Sequence, residues 1–364
     1  MTRKRLLTAA IALIAVLALS IPALADGPGA VAWLRTQQND DGGFGTPASS
    51  MGITGDILLA VAASGENAIA WGQPGATTLD YMQANAASLS KAGETAKVVL
   101  GLIASGKNPR DLGGIDLIAK LEGMLDSDGK IGTDADYIND HCYAMLALSS
   151  ARRPIPAQAV DYLLSRQIDD GTWSWNGSTD AGSGDNNSAA IAVVALIAAG
   201  LPADHAQIDK TIDHFKGQQN ADGGFPYINP SPYGTGSDAN STAVVMWAIT
   251  AAGQDPAGDA WKYMGQDASS ALDKVRAYQN ENGAFRWQDA MPDDNLAATV
   301  QAMIAIELKT LPLASMDVGE ATVEAVGEPT ILPETGAGIG LSLLALLVGG
   351  IALTGTGLAL RRRS

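Results

Sequence analysis

The chain has 364 residues, of which 46% are hydrophobic, enough to bury a core of domain size, so wholesale disorder is excluded. The formal charge is −16, and six basic residues sit in the terminal triplets Arg3-Lys4-Arg5 and Arg361-Arg362-Arg363. The chain between them carries 17 basic against 39 acidic residues, a net −22 that repels phosphate backbones and excludes nucleic acid as a partner. A lone cysteine, Cys142, excludes an internal disulfide and four-cysteine zinc sites.

Residues 1–25 read as a secretory signal peptide. A basic start is followed by an apolar run from Leu6 to Leu19 and by the small-residue pattern Ala23-Leu24-Ala25, which predicts cleavage between Ala25 and Asp26. The run is short for a bilayer span, which argues against a retained anchor helix.

From residue 26 to 311 the chain is a repeat. One turn recurs after amphipathic helical patterns, at Gln38-Asn39-Asp40-Asp41-Gly42-Gly43-Phe44, Gln167 to Trp173, Gln219 to Phe225 and Gln279 to Phe285, with a weaker copy at Asp126-Ser127-Asp128-Gly129-Lys130-Ile131. Asp or Asn before Gly ends a helix with a residue at positive φ, and the aromatic can fold back as a plug. A second motif opens apolar helices at Asp185-Asn186-Asn187-Ser188-Ala189, Asp238-Ala239-Asn240-Ser241-Thr242 and Asp293-Asp294-Asn295-Leu296-Ala297. These helices stop at Gly65, Gly106, Gly200 and Gly253. Together the signals predict six hairpins: 29–39 with 53–64, 77–89 with 94–105, 114–126 with 138–149, 157–167 with 187–199, 205–219 with 240–252, and 271–280 with 295–308. The first helix of each pair is amphipathic and the second apolar almost all round, as outer and inner rings require. The expected fold is therefore all-α, an (α/α)6 toroid with essentially no strand. An open solenoid would expose an apolar flank at each end.

Residues 312–331 read as a polar linker. Leu332-Pro333-Glu334-Thr335-Gly336 follows, then an apolar stretch from Ala337 to Leu360 long enough to form a C-terminal transmembrane helix, then the three arginines on its cytoplasmic side. Residues 332–364 resemble the sorting signal of Gram-positive-type surface proteins, in which a sortase cuts between Thr and Gly and joins the Thr to the cell wall. That resemblance implies sortase and the cell wall as partners, a membrane contact before processing, and an extracellular, surface-anchored body. A plain membrane anchor is the alternative.

The Gln-x-x-x-Gly-x-aromatic turn resembles the QW repeat of squalene and oxidosqualene cyclases. The body from Gly27 to Leu311 is similar to the terpenoid cyclase/protein prenyltransferase toroid superfamily. The resemblance implies two chemistries. Cyclases place a proton-donating acid at the third position of D-x-D-D-T-A; here Asp238-Ala239-Asn240-Ser241-Thr242-Ala243 has Asn240 there, and Asn187 and Asn295 stand at the corresponding positions of the other copies. Asp134-Ala135-Asp136-Tyr137 is a partial match. The superfamily's prenyltransferases hold zinc through Asp-x-Cys-Tyr and a later His on an inner helix. Asp140-His141-Cys142-Tyr143 fits the first part, but His205 and His214 both fall on an outer helix, so no metal is expected. A calcium loop at Asp126 lacks its bidentate acid, since Ala135 stands there.

Three long loops on one rim carry Trp175, Tyr227, Tyr233 and Trp287 with Asp185, Asp238 and Asp293, aromatics and acids suited to a sugar, a peptide or another small molecule. Trp173 and Phe225 are expected to be structural plugs. The resulting expectation is a non-catalytic, surface-anchored binding module for a small ligand, glycan or peptide, with no cofactor. The alternatives are a terpenoid cyclase or prenyltransferase-like enzyme, and a corrinoid binder.

Overall fold

Twelve α-helices, α1 to α12, alternate between two rings in the computed structural model, which describes residues 27–232, 234–264 and 268–320. They are α1 (Gly27–Arg35), α2 (Met51–Ala63), α3 (Thr78–Asn85), α4 (Ala92–Ala104), α5 (Leu117–Glu122), α6 (Ile138–Ser150), α7 (Ala157–Ser165), α8 (Asn186–Ala198), α9 (Ala206–Gln218), α10 (Ala239–Ala251), α11 (Ala271–Ala277) and α12 (Leu296–Ile306). All of them lie within one unit ending at Ala321. Each even-numbered helix packs on the next, and α12 packs back on α2, so the inner ring closes and the open solenoid is excluded. The apolar composition explains the placement: every residue from Ala189 to Leu196 of α8 is buried, as is every residue from Ser241 to Ile249 of α10.

The outer helices end earlier than their patterns suggest. The expected ends at 39, 167, 219 and 280 overrun the helices, which stop at Arg35, Ser165, Gln218 and Ala277, one to three residues before the repeated glutamine whose side chain closes the turn. Gln38, Gln219 and Gln279 Nε2 donate to the carbonyls of Gly42, Gly223 and Gly283 at 2.8, 2.9 and 2.9 Å. Those glycines sit at φ of +87°, +86° and +94°. The aromatics that follow, Phe44, Trp173, Phe225 and Phe285, are fully buried plugs. The N–H of Phe44, Phe225 and Phe285 donates to Thr54, Thr242 and Thr299 Oγ1 in the next inner helix at 3.1, 3.0 and 2.8 Å. Turn and inner helix are thereby clipped together in the first, fifth and sixth hairpins.

The third hairpin makes the same clip with a different residue. Ile131 N–H donates to His141 Nδ1 at 2.9 Å, and His141 Nε2 lies 3.1 Å from the Ala159 carbonyl, so the ring is neutral with its proton on Nε2. Burial holds its pKa down to about 4. Folded and unfolded chains are both neutral here at pH 7. Below about pH 6.5 the unfolded chain takes a proton that the folded chain refuses until about pH 4, so stability falls by up to about 3 kcal/mol across that interval. His141→Thr keeps an acceptor for Ile131 and removes the titration. Its melting temperature is expected to drop less than the wild type's between pH 7 and 4.5, and equal drops would refute this account.

Two short hairpins interrupt the all-helical expectation. They are β1 (Gly72–Gln73) with β2 (Ala76–Thr77), and β3 (Arg286–Gln288) with β4 (Met291–Asp294), both antiparallel. The beginning of the expected linker also differs. Ser150 Oγ donates to the Ala314 carbonyl at 2.7 Å, Arg110 grips the Gly319 carbonyl at 2.8 Å, Arg153 pairs with Glu320 at 2.9 Å, and Val318 is buried. The chain to Glu320 is thus a strap on the toroid, because its apolar residues find partners there and its polar backbone finds arginines. Among the described residues no helix is long and apolar enough to cross a membrane. The signal peptide with Ala25 and Asp26, the sorting motif from Leu332 to Gly336 and the span from Ala337 lie outside the described residues.

Candidate functional site

The inner helices enclose a chamber of about 420 Å³, in the range of small-molecule sites, with Ile53, Leu59, Val300 and Ile304 among its apolar lining. Four of its polar groups share one depth. Asp56, Lys97, Tyr143 and Gln301 each lie six residues after the N-cap of their helix, Ser50, Lys91, Tyr137 and Asn295, so equal helical rise brings them to one level. Two glycines let α2 and α4 approach backbone to backbone. A Cβ on Gly55 would lie 2.7 Å from the Lys97 carbonyl, and one on Gly101 would lie 2.8 Å from the Gly55 carbonyl. That approach sets Lys97 Nζ 2.7 Å from Asp56 Oδ2, with the ammonium 5.0 Å from the centre of the Tyr143 ring. Burial would lower the Lys97 pKa, but the Asp56 carboxylate and Tyr143 outweigh it and hold the group above its ordinary value, fully charged. Burial pushes the Tyr143 phenol up to about 12. One turn deeper, Trp247 joins the lining, and its buried indole N–H has no partner among the described residues.

A second cavity of about 550 Å³ opens at the rim, lined by Tyr227, Trp287, Asp238, Asn187, Asn240 and Gln301 among others. The two cavities meet at Gln301, whose Oε1 accepts from Asn240 Nδ2 at 2.7 Å. Asp238 is the N-cap of α10 and accepts from the backbone N–H and hydroxyl of Ser241, both at 2.7 Å. Burial raises its pKa; the bonds from Ser241 and the Trp287 indole only partly offset that rise. Asp185 caps α8 in the same manner, with its carboxylate bonded to Ser188 and Tyr227.

The rim residues singled out in the sequence therefore divide. Tyr227, Trp287 and Asp238 come together at the rim cavity, and Asp185 sits behind Tyr227 as a cap. Trp175 is half-exposed and stacks edge-on against Tyr137, its ring centre 4.9 Å away, outside the lining of either cavity. Asp293 is exposed on β4, also outside both linings. Tyr233 lies outside the described residues. One alignment of the repeats needs correction: Asn295 accepts from the Ala298 N–H at 2.9 Å and is itself the N-cap, so it corresponds to Asp185 and Asp238, and Ala297 occupies the third position. The β3–β4 hairpin lengthens that loop and shifts the register by two.

Cys142 is buried, with its thiol pKa pushed up, and His141 is committed to backbone on both nitrogens. Among the described residues no group of three or more His, Cys, Asp or Glu side chains is placed to hold a metal ion. Sequence reasoning missed Asp56, Lys97 and Gln301. The available signal was their equal offset from successive helix starts, inside runs that otherwise read as core.

Residues 127–231 and 227–323 match the prenyltransferase alpha-alpha toroid domain. No curated protein matches. Among solved structures, the chain is similar to the type II terpene cyclase MstE from Scytonema, at 16% identity and a TM-score of 0.52, over 78% of this chain and 95% of that one. A variant of that cyclase holding its substrate, geranylgeranyl dihydroxybenzoate, is similar at 15% identity and 0.51, over 78% and 95%. A glycosidase variant is similar at 12% identity and 0.51, over 78% and 95%. Likeness at these identities shows the fold. The family match overturns the expectation of a non-catalytic binding module. That expectation rested on amides at the motif's third position and overlooked the charged layer deeper in the chamber.

Proposed function

Since the chain belongs to the prenyltransferase alpha-alpha toroid family, we propose that it is a terpenoid cyclase or prenyltransferase-like enzyme acting on a polyprenyl chain. The observation that carries this reading is the apolar chamber crossed by one ionised layer and joined at Gln301 to a rim cavity that holds a carboxyl group. Cyclisation needs an acid at the mouth, a water-poor cavity that presents the chain's own double bonds to a cation, and a proton acceptor at the end. Asp238 serves as the acid, because burial favours its protonated form. Its O–H proton passes to a terminal alkene carbon, the next double bond closes on the cation, and the last cation gives a proton to water, which returns one to the Asp238 carboxylate. The Asp56 carboxylate, paired with Lys97 at 2.7 Å, balances the cation, and Trp247 lines the same space.

Export and surface attachment complete the proposal. They rest on the signal-peptide pattern and on the order of the sorting motif, apolar stretch and arginines. Thr335→Ala is expected to leave the protein detergent-extractable and absent from the covalent wall fraction; an unchanged wall fraction would refute sortase attachment. The enzymatic reading is tested by incubating the purified chain with linear polyprenyl hydrocarbons, alcohols and diphosphates and analysing for cyclic or prenylated products. Cyclic product is expected, and no product from any of them would sink the reading.

A further inference from the structure

The polar layer of the central chamber does more than balance charge. The chamber lining holds an ion pair among apolar side chains and a few neutral polar groups, and such a pair gains little net stability because desolvation offsets its attraction. Both partners keep hydrogen-bonding capacity to spare. The Lys97 ammonium has three N–H donors, of which Asp56 takes one, and the Asp56 carboxylate, with about four acceptor sites, takes that one bond. A buried donor without an acceptor costs free energy that a ligand oxygen would recover.

Charge decides which oxygen. Asp56 already neutralises Lys97 at 2.7 Å, so the pair carries no net positive charge to hold an anion. A diphosphate or carboxylate head would meet Asp56 at hydrogen-bond range and be repelled. A neutral hydroxyl satisfies both sides: its oxygen accepts from Lys97, and its hydrogen is donated to Asp56. Resting on the enzymatic reading above, we infer that the chamber selects a polyprenyl substrate ending in a neutral hydroxyl group, bound at Asp56 and Lys97. Hydrocarbons forgo these bonds, and diphosphates pay for the missing counter-charge.

The test is direct binding to the full chain, followed by calorimetry or tryptophan fluorescence, with three probes of one chain length: geranylgeraniol, geranylgeranyl diphosphate and the matching hydrocarbon. The alcohol is expected to bind at least about tenfold tighter than either of the others. The paired change Asp56→Leu with Lys97→Met removes both polar partners without leaving either charge unpaired, and should weaken the alcohol about five- to tenfold, to near the hydrocarbon's affinity. A diphosphate or hydrocarbon that binds as tightly as the alcohol overturns the head-group assignment alone, as does an unaltered alcohol affinity in the paired variant. Failure of all three probes to bind overturns the enzymatic reading as well. Because the ligand series uses the unmodified protein, it stands even if the variant does not fold.

Discussion

Asp238→Asn is expected to lower turnover of a polyprenyl substrate at least about a hundredfold while leaving the fold intact. General acids contribute about 10²- to 10⁴-fold, and nothing else at the rim cavity supplies a carboxyl proton. The structural side of the substitution is mild, since Asn is as good an N-cap as Asp and its carbonyl oxygen still accepts from the Ser241 N–H. Asp185→Asn is the matched control. Asp185 caps α8 with the same pair of serine bonds but does not line the rim cavity, so its replacement should carry a similar stability cost and no comparable rate loss. Equal effects of the two substitutions on turnover would show that Asp238 is only a cap. The pH profile offers a second check: wild-type activity should decline as pH rises through the elevated Asp238 pKa, and the residual Asp238→Asn activity should lack that limb.

Gly223→Val should damage the fold severely, costing about 4 kcal/mol or more. Two effects add. A β-branched residue at φ +86° is strained by about 1–2 kcal/mol, and a Cβ at this position runs into the backbone carbonyls of Ser269 and Ser270, which cannot swing away as a side-chain end would. At about 2–4 °C per kcal/mol for a domain of this size, melting should drop by about 10 °C. Gly253→Val separates the two effects. Gly253 has φ +73° with open space where its Cβ would stand, so only the conformational strain applies and the drop should be less than half as large. Similar losses at both positions would mean that the repeated turn does not dock on its neighbouring hairpin as described.

What the sequence by itself determined is what short-range chemistry encodes. Glutamine, acid, glycine and aromatic at fixed spacing mark each turn because a positive φ and a buried ring are local demands, and Gly42, Gly223 and Gly283 meet them with Phe44, Phe225 and Phe285. Cap residues such as Asp185 and Asp238 place inner-helix starts within a residue or two, and the unbroken apolar runs behind them predict burial on all sides. From these the count of six hairpins follows, and with it the toroid. The outer-helix ends were overrun because a glutamine side chain, which leaves no helical signature, takes over the turn's hydrogen bonds. Tertiary structure alone decided the site. Asp56 and Lys97 are 41 residues apart and meet only because Gly55 and Gly101 let two helices touch backbone to backbone; a lone charge in an apolar run carries no mark of its partner. Likewise His141 reads only as a helix-start polar residue between Asp140 and Cys142, yet the closed ring turns it to the Ile131 and Ala159 backbone, where it does the work of the threonines in other repeats. Equal offsets from the caps became a polar layer only when α12 packed against α2 and put Gln301 and Asp56 around one chamber.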